Sequence, residues 1–381
     1  MKFSFRKKEV LPALSKIQPI SARPTQISIT SEILIKAEGE KITLTANNLE
    51  TIFVGSYDAQ VEKDGTLSIN AKKFFEIVRE YPGDEIMVNE VKKRWIEIGT
   101  GDSVYHIASS NVENFPEPPE IDNVNFFGIN SRSFRQMLDV AIAVNVSGDE
   151  KRPYVLAALF EKIINEDKEG YKIRIVSTDS RRMNLCDIDF IGQTDFLDES
   201  VMIPKKGLSE LGKFVSDDDF FVNIGVEKNH FVFKDENETI MVNLLVGEYP
   251  NYKAVMKIDD VKPISIDRKK FIGMMKRASI LTSDEYKSVK LHLTDFEISA
   301  LVNNPEIGES KETMVIKFDA EEIKLTLNPK FLLDALNIFC SENIDLSVKD
   351  SKSPCKISSP DEKNLTCVIM LMADSASPKA K

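Results

Sequence analysis

Histidine is scarce in this chain: His106, His230 and His292 are the three among 381 residues. They stand far apart, each on a strand-like pattern, so a histidine-based nucleophile or metal constellation has little material. Cysteine is almost as rare. Its four copies, Cys186, Cys340, Cys355 and Cys367, include no CxxC pair and no histidine at ligand spacing, so reduced thiols are expected and a zinc site is not. No GxxxxGK[ST], GxGxxG or GxSxG occurs, which removes the common phosphate-cradling loops and the serine nucleophile elbow. The acidic run "SDDDF" (216 to 220) reads as a solvated turn ahead of a strand, because three consecutive acids cannot all face one ion. With 16 Gly and 16 Pro, long low-complexity tracts are absent. No apolar run reaches the ~18 residues of a membrane span, and no apolar segment follows the basic "MKFSFRKKEV". A cytoplasmic protein with no membrane partner, no cofactor and no reaction of its own is expected.

What is present is repetition. A chain of this length should hold two or three domains. "FSFRKKEVLPAL" from Phe3, "FGINSRSFRQML" from Phe127 and "ISIDRKKFIGMM" from Ile264 share an apolar opening, a polar or basic turn and apolar residues at helical spacing. The matching sets are Phe5, Val10, Leu14; Ile129, Phe134, Leu138; and Ile266, Phe271, Met275. A second trio, "AKKFFEIV" from Ala71, "PKKGLSEL" from Pro204 and "PKFLLDAL" from Pro329, superimposes Phe75, Leu208, Leu333 and then Val78, Leu211, Leu336. The chain therefore reads as three copies of a unit of about 127 residues. Between the helices the period drops to two, as in "QISITSEILIKAEGEKITLTANN", "DEIMVNEVKKRWIEIGTG" and "FFVNIGVEKNHFVFKDENETIMVNLL", with Gly, Asn and Asp at the breaks. The fold class is α+β: each unit runs strand, helix, strands, strand, helix, strands, with two helices on antiparallel sheet. The Pro-rich stretches near 113 to 122 and 248 to 263 are the candidate boundaries, giving domains 1–121, 122–252 and 253–373 and a small, polar, disordered tail, 374–381.

Charge follows the repeat. The whole chain carries 50 Lys+Arg against 61 Asp+Glu. Six helical stretches (6–16, 72–80, 131–143, 205–213, 267–277, 330–340) hold 18 Lys+Arg against 7 Asp+Glu, leaving 32 against 54 elsewhere. Basic helices on an acidic body are the footprint of a phosphate-backbone contact. Without an aromatic platform or a base-reading motif, such a contact is indifferent to nucleotide sequence.

Ten stretches in order, among them "MKFSFRKKEVLPAL", "SARPTQISI", "LTANNLE", "INAKKFFEIVREYP", "NFPEPP", "STDSRRM", "IPKKGLSEL", "GEYPNY", "ASILTSDEYKSVKL" and "NNPE", make the chain resemble the bacterial DNA polymerase III beta subunit, the sliding clamp. The resemblance covers essentially the whole length. It implies three clamp domains in a head-to-tail homodimeric ring that encircles duplex DNA, independent of sequence, and confers processivity as a non-catalytic subunit. It further implies short peptide motifs of the polymerase alpha subunit, the clamp loader and repair polymerases as partners.

Carried over residue by residue, the resemblance implies DNA contacts at Arg23, Lys72 and Tyr154, and a dimer interface at Tyr105, Ile280 and Leu281. A peptide cleft is implied at Arg152, Val155, Thr178, Arg182, Met183, Pro250, Val255, Val368, Ile369, Met370 and Met372, its methionines suiting varied partners. The chain departs from the family's pattern at Leu371, Ala373 and Ala254, where a proline and two arginines are usual. Two rival readings stay open at this point. One is a clamp-like binding module with altered partner specificity, not serving the main replicase. The other is an enzyme on a triplicated scaffold.

Overall fold

The computed structural model describes residues 1–21, 28–121, 123–144, 151–164, 170–190, 197, 200–257, 261–317 and 322–373. Arg23 and the expected tail 374–381 lie outside the described residues. Eight helices occur among them: α1 (Lys7–Ser21), α2 (Ala71–Glu80), α3 (Ser131–Ile142), α4 (Pro153–Leu156), α5 (Lys205–Leu211), α6 (Tyr252–Met256), α7 (Arg268–Ala278) and α8 (Pro329–Ile338). The six longest, all but α4 and α6, are the helices of the repeat. A strand precedes each, and three or four strands follow. The stretch from Gln26 expected to be a strand instead enters the sheet only at Glu32, after a 3-10 turn at Ser28–Ser31.

The six helices start in register. Asn70 and Asn328 cap α2 and α8 by accepting from Lys73 N and Lys330 N, Asp267 caps α7 by accepting from Lys270 N, and Asn130 accepts from Ser133 N at the start of α3. Counted from these starts, the fourth residue is always a buried apolar one: Val10, Phe74, Phe134, Leu208, Phe271 and Leu332. The second trio is thereby corrected by one position, since Phe74 and Leu332 are buried where Phe75 and Leu333 were expected. Pro204 closes a strand instead of opening a helix, which shifted that alignment. In the first third, α1 runs on to Ser21 through Pro12 and Pro19, held by the burial of Val10, Ala13, Leu14, Ile17 and Ile20.

Antiparallel pairing builds three sheets among the described residues, of twelve, eight and four strands. Contacts divide the chain into two compact units. One comprises Met1–Arg135, Gln193–Asp198 and Lys206–Leu245; the other comprises Gln136–Gly192, Glu199–Lys205 and Val246–Lys381. In the first unit, strand Thr51–Lys63 pairs with Glu238–Asn243, matching Gly55 to Glu238 and Thr51 to Val242. In the second, Arg182–Phe190 pairs with Leu365–Ile369, matching Arg182 to Ile369 and Cys186 to Leu365. Both junctions follow one rule: the third strand after a repeat's first helix bonds the last strand of the following repeat.

Much of the helical positive charge is spent internally. The last carbonyls of a helix have no partner within it, and cations suit that end. Lys7 of α1 donates to Tyr81 O past the end of α2 (2.7 Å). Arg135 of α3 donates to Gly212 O and Val215 O past the end of α5. Arg268 of α7 donates to Ser341 O (2.7 Å), Leu336 O and Cys340 O at the end of α8. The same bond is made in every third of the chain. Arg277, Lys270 and Lys16 are paired with Glu312, Asp267 and Glu238. Helical basic charge therefore overstates what is available to a ligand, and Arg268 is a structural cap.

Lys205 is another cation used internally. Its ammonium donates to Val144 O (2.9 Å) and Thr178 O (3.0 Å), tying the segment after α3 to the end of strand Tyr171–Thr178. Burial pushes its pKa down to about 8; Asp179 opposes that shift and Arg182 adds to it. The unfolded chain, with the ordinary value of 10.5, then binds more protons than the native one between these two pH values, so this residue makes stability rise with pH across that window. Relative to Lys205→Met, the wild type should gain up to about 3 kcal/mol between pH 8 and pH 10.5. Urea unfolding of both proteins across this range is the measurement; a constant difference between them would refute a buried, charged Lys205.

Candidate functional site

A cavity of about 250 Å³ opens in the second unit. Its apolar lining comes from Met183 on strand Arg182–Phe190, Val368 and Met370 at the end of strand Leu365–Ile369, and Pro250 and Val255 beside and within α6. The strand pairing explains the meeting: Met183 lies opposite Val368 in the ladder, and Met370 N donates to Arg181 O just beyond it (2.8 Å). Polar groups enter from Thr178, Ser180, Tyr154, Asn251, Tyr252 and Arg182.

The turn at the cavity's edge is rigidly built. Ser180 takes a left-handed backbone (φ 74°), stabilised when Thr178 Oγ1 accepts from Ser180 N and donates to Arg182 O (2.8 Å). Asp179 accepts from the N–H groups of Arg181 and Arg182. The Arg182 guanidinium, 6% exposed, donates to Asp179 (3.0 Å) and Asp334 on α8 (2.6 Å) and lies 4.6 Å over the Phe331 ring. Two carboxylates and an aromatic face compensate its desolvation. Arg182 is therefore a wall element, and it fixes the turn to α8.

The opposite wall is anchored by a second network. Tyr252 donates its phenol proton to Glu161 and accepts from Arg174 (3.2 Å), while Arg174 grips both oxygens of Asp187 at 2.7 and 2.6 Å. Burial, reinforced by the bond to Glu161, drives the Tyr252 pKa well above the ordinary range, so this phenol stays neutral. Tyr249 donates to Val176 O (3.0 Å) and packs edge-on against Tyr154. The result is a preorganised apolar slot with a polar mouth. It suits an apolar group whose flanking polar groups stay at the rim.

Seven of the eleven expected cleft residues line this cavity: Thr178, Arg182, Met183, Pro250, Val255, Val368 and Met370. Val155 (0% exposed) and Ile369 (1%) do not. Both are buried in the core behind the wall: successive strand residues alternate faces, so Ile369 turns away between Val368 and Met370, and Val155 is on the core side of α4. Arg152 sits outside the lining, hydrogen-bonded to Tyr154 Oη and Ser180 Oγ (3.0 Å). Met372 is exposed beyond the lining, its N–H bonded to Thr326 O. Tyr154, expected at DNA, belongs to the cavity wall. Ser180, Asn251 and Tyr252 were missed, although they adjoin expected residues in "STDSRRM" and "GEYPNY". Ala254 and Ala373 are exposed, so no cation projects from either position.

Lys72 is exposed on α2. Tyr105 is exposed on strand Ser103–Ala108, which ends the twelve-stranded sheet. Ile280, 73% exposed, and half-buried Leu281 follow α7 in a short 3-10 turn. Among the described residues no group of three or more His, Cys, Asp or Glu could hold a metal ion, and no helix is long and apolar enough to cross a membrane.

Comparison with known proteins places these features. Residues 1–119, 128–251 and 254–373 match the DNA polymerase III beta subunit N-terminal, central and C-terminal domains. The beta sliding clamp of Chlamydia pneumoniae is 27% identical over 354 residues, spanning 93% of this chain and 94% of that protein. The DNA polymerase sliding clamp of Bacillus subtilis superposes with a TM-score of 0.91 at 23% identity, over 98% of this chain and 99% of that one. The Pseudomonas aeruginosa DNA polymerase III subunit beta superposes at 0.89 and 24%, over 98% and 100%. With all three domains matched in order along its length, the chain belongs to the DNA polymerase III beta subunit family.

Proposed function

We propose that this protein is a sliding clamp: two copies join head to tail into a ring around duplex DNA and tether the replicative polymerase, raising processivity without a reaction of their own. The observation that carries the reading is an unfinished rule of strand pairing. Two junctions join the third strand after a repeat's first helix to the last strand of the following repeat. The third repeat's corresponding strand, Gly308–Val315, is an edge of the four-stranded sheet, and the first repeat's last strand, Ser103–Ala108, is an edge of the twelve-stranded one. Each edge presents unpaired backbone groups, a template for another strand. A second copy completes the rule at both ends, and head-to-tail pairing of two copies closes it. Tyr105 lies on one edge; Asn304, whose side chain donates to Leu281 O, adjoins the other.

The domains of this reading are 1–121, 122–252 and 253–373, and it is set in the cytoplasm. DNA contact through Lys72, and through Arg23 outside the described residues, supplies diffuse, sequence-independent attraction. The cavity beside Met183 and Met370 takes up short peptide segments with an aliphatic and aromatic pair, borne by the polymerase alpha subunit, the clamp loader and repair polymerases. Tyr154, placed in the cavity wall, serves these peptides; any DNA contact from it is secondary.

Ile280→Arg combined with Leu281→Arg should convert the assembly to a folded monomer of 43.0 kDa. Sedimentation velocity, with negative-stain images of the wild type, is the check: a wild type that is itself monomeric and never ring-shaped would refute the assembly. Met370→Glu puts a charge into the apolar slot. It should weaken binding of a fluorescent peptide with an aliphatic–aromatic end at least tenfold, or about 1.4 kcal/mol. Equal anisotropy titrations for variant and wild type would place the peptide elsewhere.

A further inference from the structure

The two strand junctions within the chain fix which residues meet at the third, between copies. In the first junction, Ile52 lies opposite Asn47 of its own repeat and Met241 of the next. In the second, Met183 lies opposite Thr178 and Val368 in the same way. In the third repeat "VNNPE" (302 to 306) stands where "ANNLE" (46 to 50) stands in the first. Asn303, the counterpart of Asn47, lies opposite Glu309. Glu309 is therefore the third repeat's Ile52.

The other edge is matched as directly. His230–Asp235 and Glu238–Asn243 make a hairpin whose turn is closed by Asp235 opposite Glu238. Trp95–Thr100 and Ser103–Ala108 make the same hairpin, closed by Thr100 opposite Ser103. Met241 thus corresponds to His106, and Val232, which lies opposite Met241, corresponds to Glu97. This register sets Glu309 of one copy opposite His106 of the other. It also sets Tyr105 opposite Ser310, on the sheet face where Asn304 donates to Leu281 O.

The position is apolar at both internal junctions and ionisable at the seam. Ile52, Met241 and Val232 form a buried apolar cluster, and Met183 and Val368 are buried apolar side chains. Their counterparts at the seam are Glu309, His106 and Glu97. Within one copy, His106 Nε2 lies 3.0 Å from Glu97 Oε2, and Glu309 is exposed on its edge strand.

We infer that His106 makes closure of the ring depend on pH: its protonated form, set between Glu97 of its own chain and Glu309 of the second copy, holds the seam shut. The inference rests on the clamp reading above. An imidazolium between two carboxylates is favoured, whereas a neutral imidazole leaves two carboxylates facing each other across paired strands. Lys311 of the second copy, opposite Val104 on the same face, offsets part of this charge without lying opposite His106. The closed seam then binds more protons than the open one, so association strengthens as pH falls through the imidazole range and weakens as pH rises through it. A closed ring can take up duplex only by opening a seam, and of the three kinds of junction only this one carries a group that solvent can discharge.

The test uses the full-length protein at about pH 6 and about pH 8, either side of the ordinary imidazole value. Dimer dissociation is read by fluorescence-detected sedimentation. Subunit exchange between donor- and acceptor-labelled copies covers a ring too tight to separate on dilution. In the wild type, dissociation or exchange should rise about tenfold from the lower to the higher pH. His106→Gln and Glu309→Gln should each flatten that rise. His292→Gln, which removes the imidazole beside Glu322 on an inner strand of the four-stranded sheet, should keep it. Thermal unfolding checks that each variant is folded, and either seam variant suffices. A wild-type ring indifferent to pH, or a His106→Gln ring with the wild-type response, would overturn the role of His106 and leave the clamp reading intact. A wild type monomeric at both pH values would overturn both.

Discussion

Backbone hydrogen bonding at strand edges is the constraint on which this architecture depends. A buried row of N–H and C=O groups needs partners, an exposed one is a template for another strand, and each repeat here is built with one edge at either side. The pairing of Thr51–Lys63 with Glu238–Asn243, and of Arg182–Phe190 with Leu365–Ile369, satisfies two such edges within the chain. The same pairing creates the cavity, because Met183 and Val368 meet only where those strands register. The proposed ring closure and the proposed peptide binding thus draw on one structural device.

The counterpart of the cavity in the first unit is occupied by the chain itself. Thr51 and Ile52 pair with Val242 and Met241 there, as Arg182 and Met183 pair with Ile369 and Val368 in the second unit, and Leu49 takes the left-handed backbone of Ser180. Ile52, Met241 and Val232 are covered by Ile121, Val124 and Phe126 from the connecting segment. In the second unit the corresponding segment forms α6, whose Tyr252 is pinned sideways by Glu161 and Arg174. One junction is closed by its linker and the other is left open as a cavity, although both are built on the same strand pairing.

Positive charge on the helices falls into two classes that composition cannot separate. Lys7, Arg135 and Arg268 satisfy the carbonyls at the end of the neighbouring helix, a local electrostatic need. Lys8, Arg132 and Lys269, one residue after a helix start, lie on the outward face. Counting 18 basic residues in six helical stretches treated both classes alike. The hydrogen bonds and the exposure of each side chain distinguish a cation that holds the fold from one that is left in solvent.

The sequence by itself determined the threefold repeat, the α+β class and the residues that belong to the cavity's strands. Periodicity and local motifs are properties of contiguous residues, so Phe134 and Phe271, or Asn70 and Asn328, could be matched without coordinates. Placement of side chains relative to one another was decided by tertiary structure. Val155 and Ile369 turned inward, Tyr252 entered the wall, and Arg268 became a cap, because which face of a strand or helix meets a neighbour depends on register and packing between distant segments. The short-range pattern names the elements. Only long-range pairing decides which of their side chains face a cavity, a carbonyl or solvent.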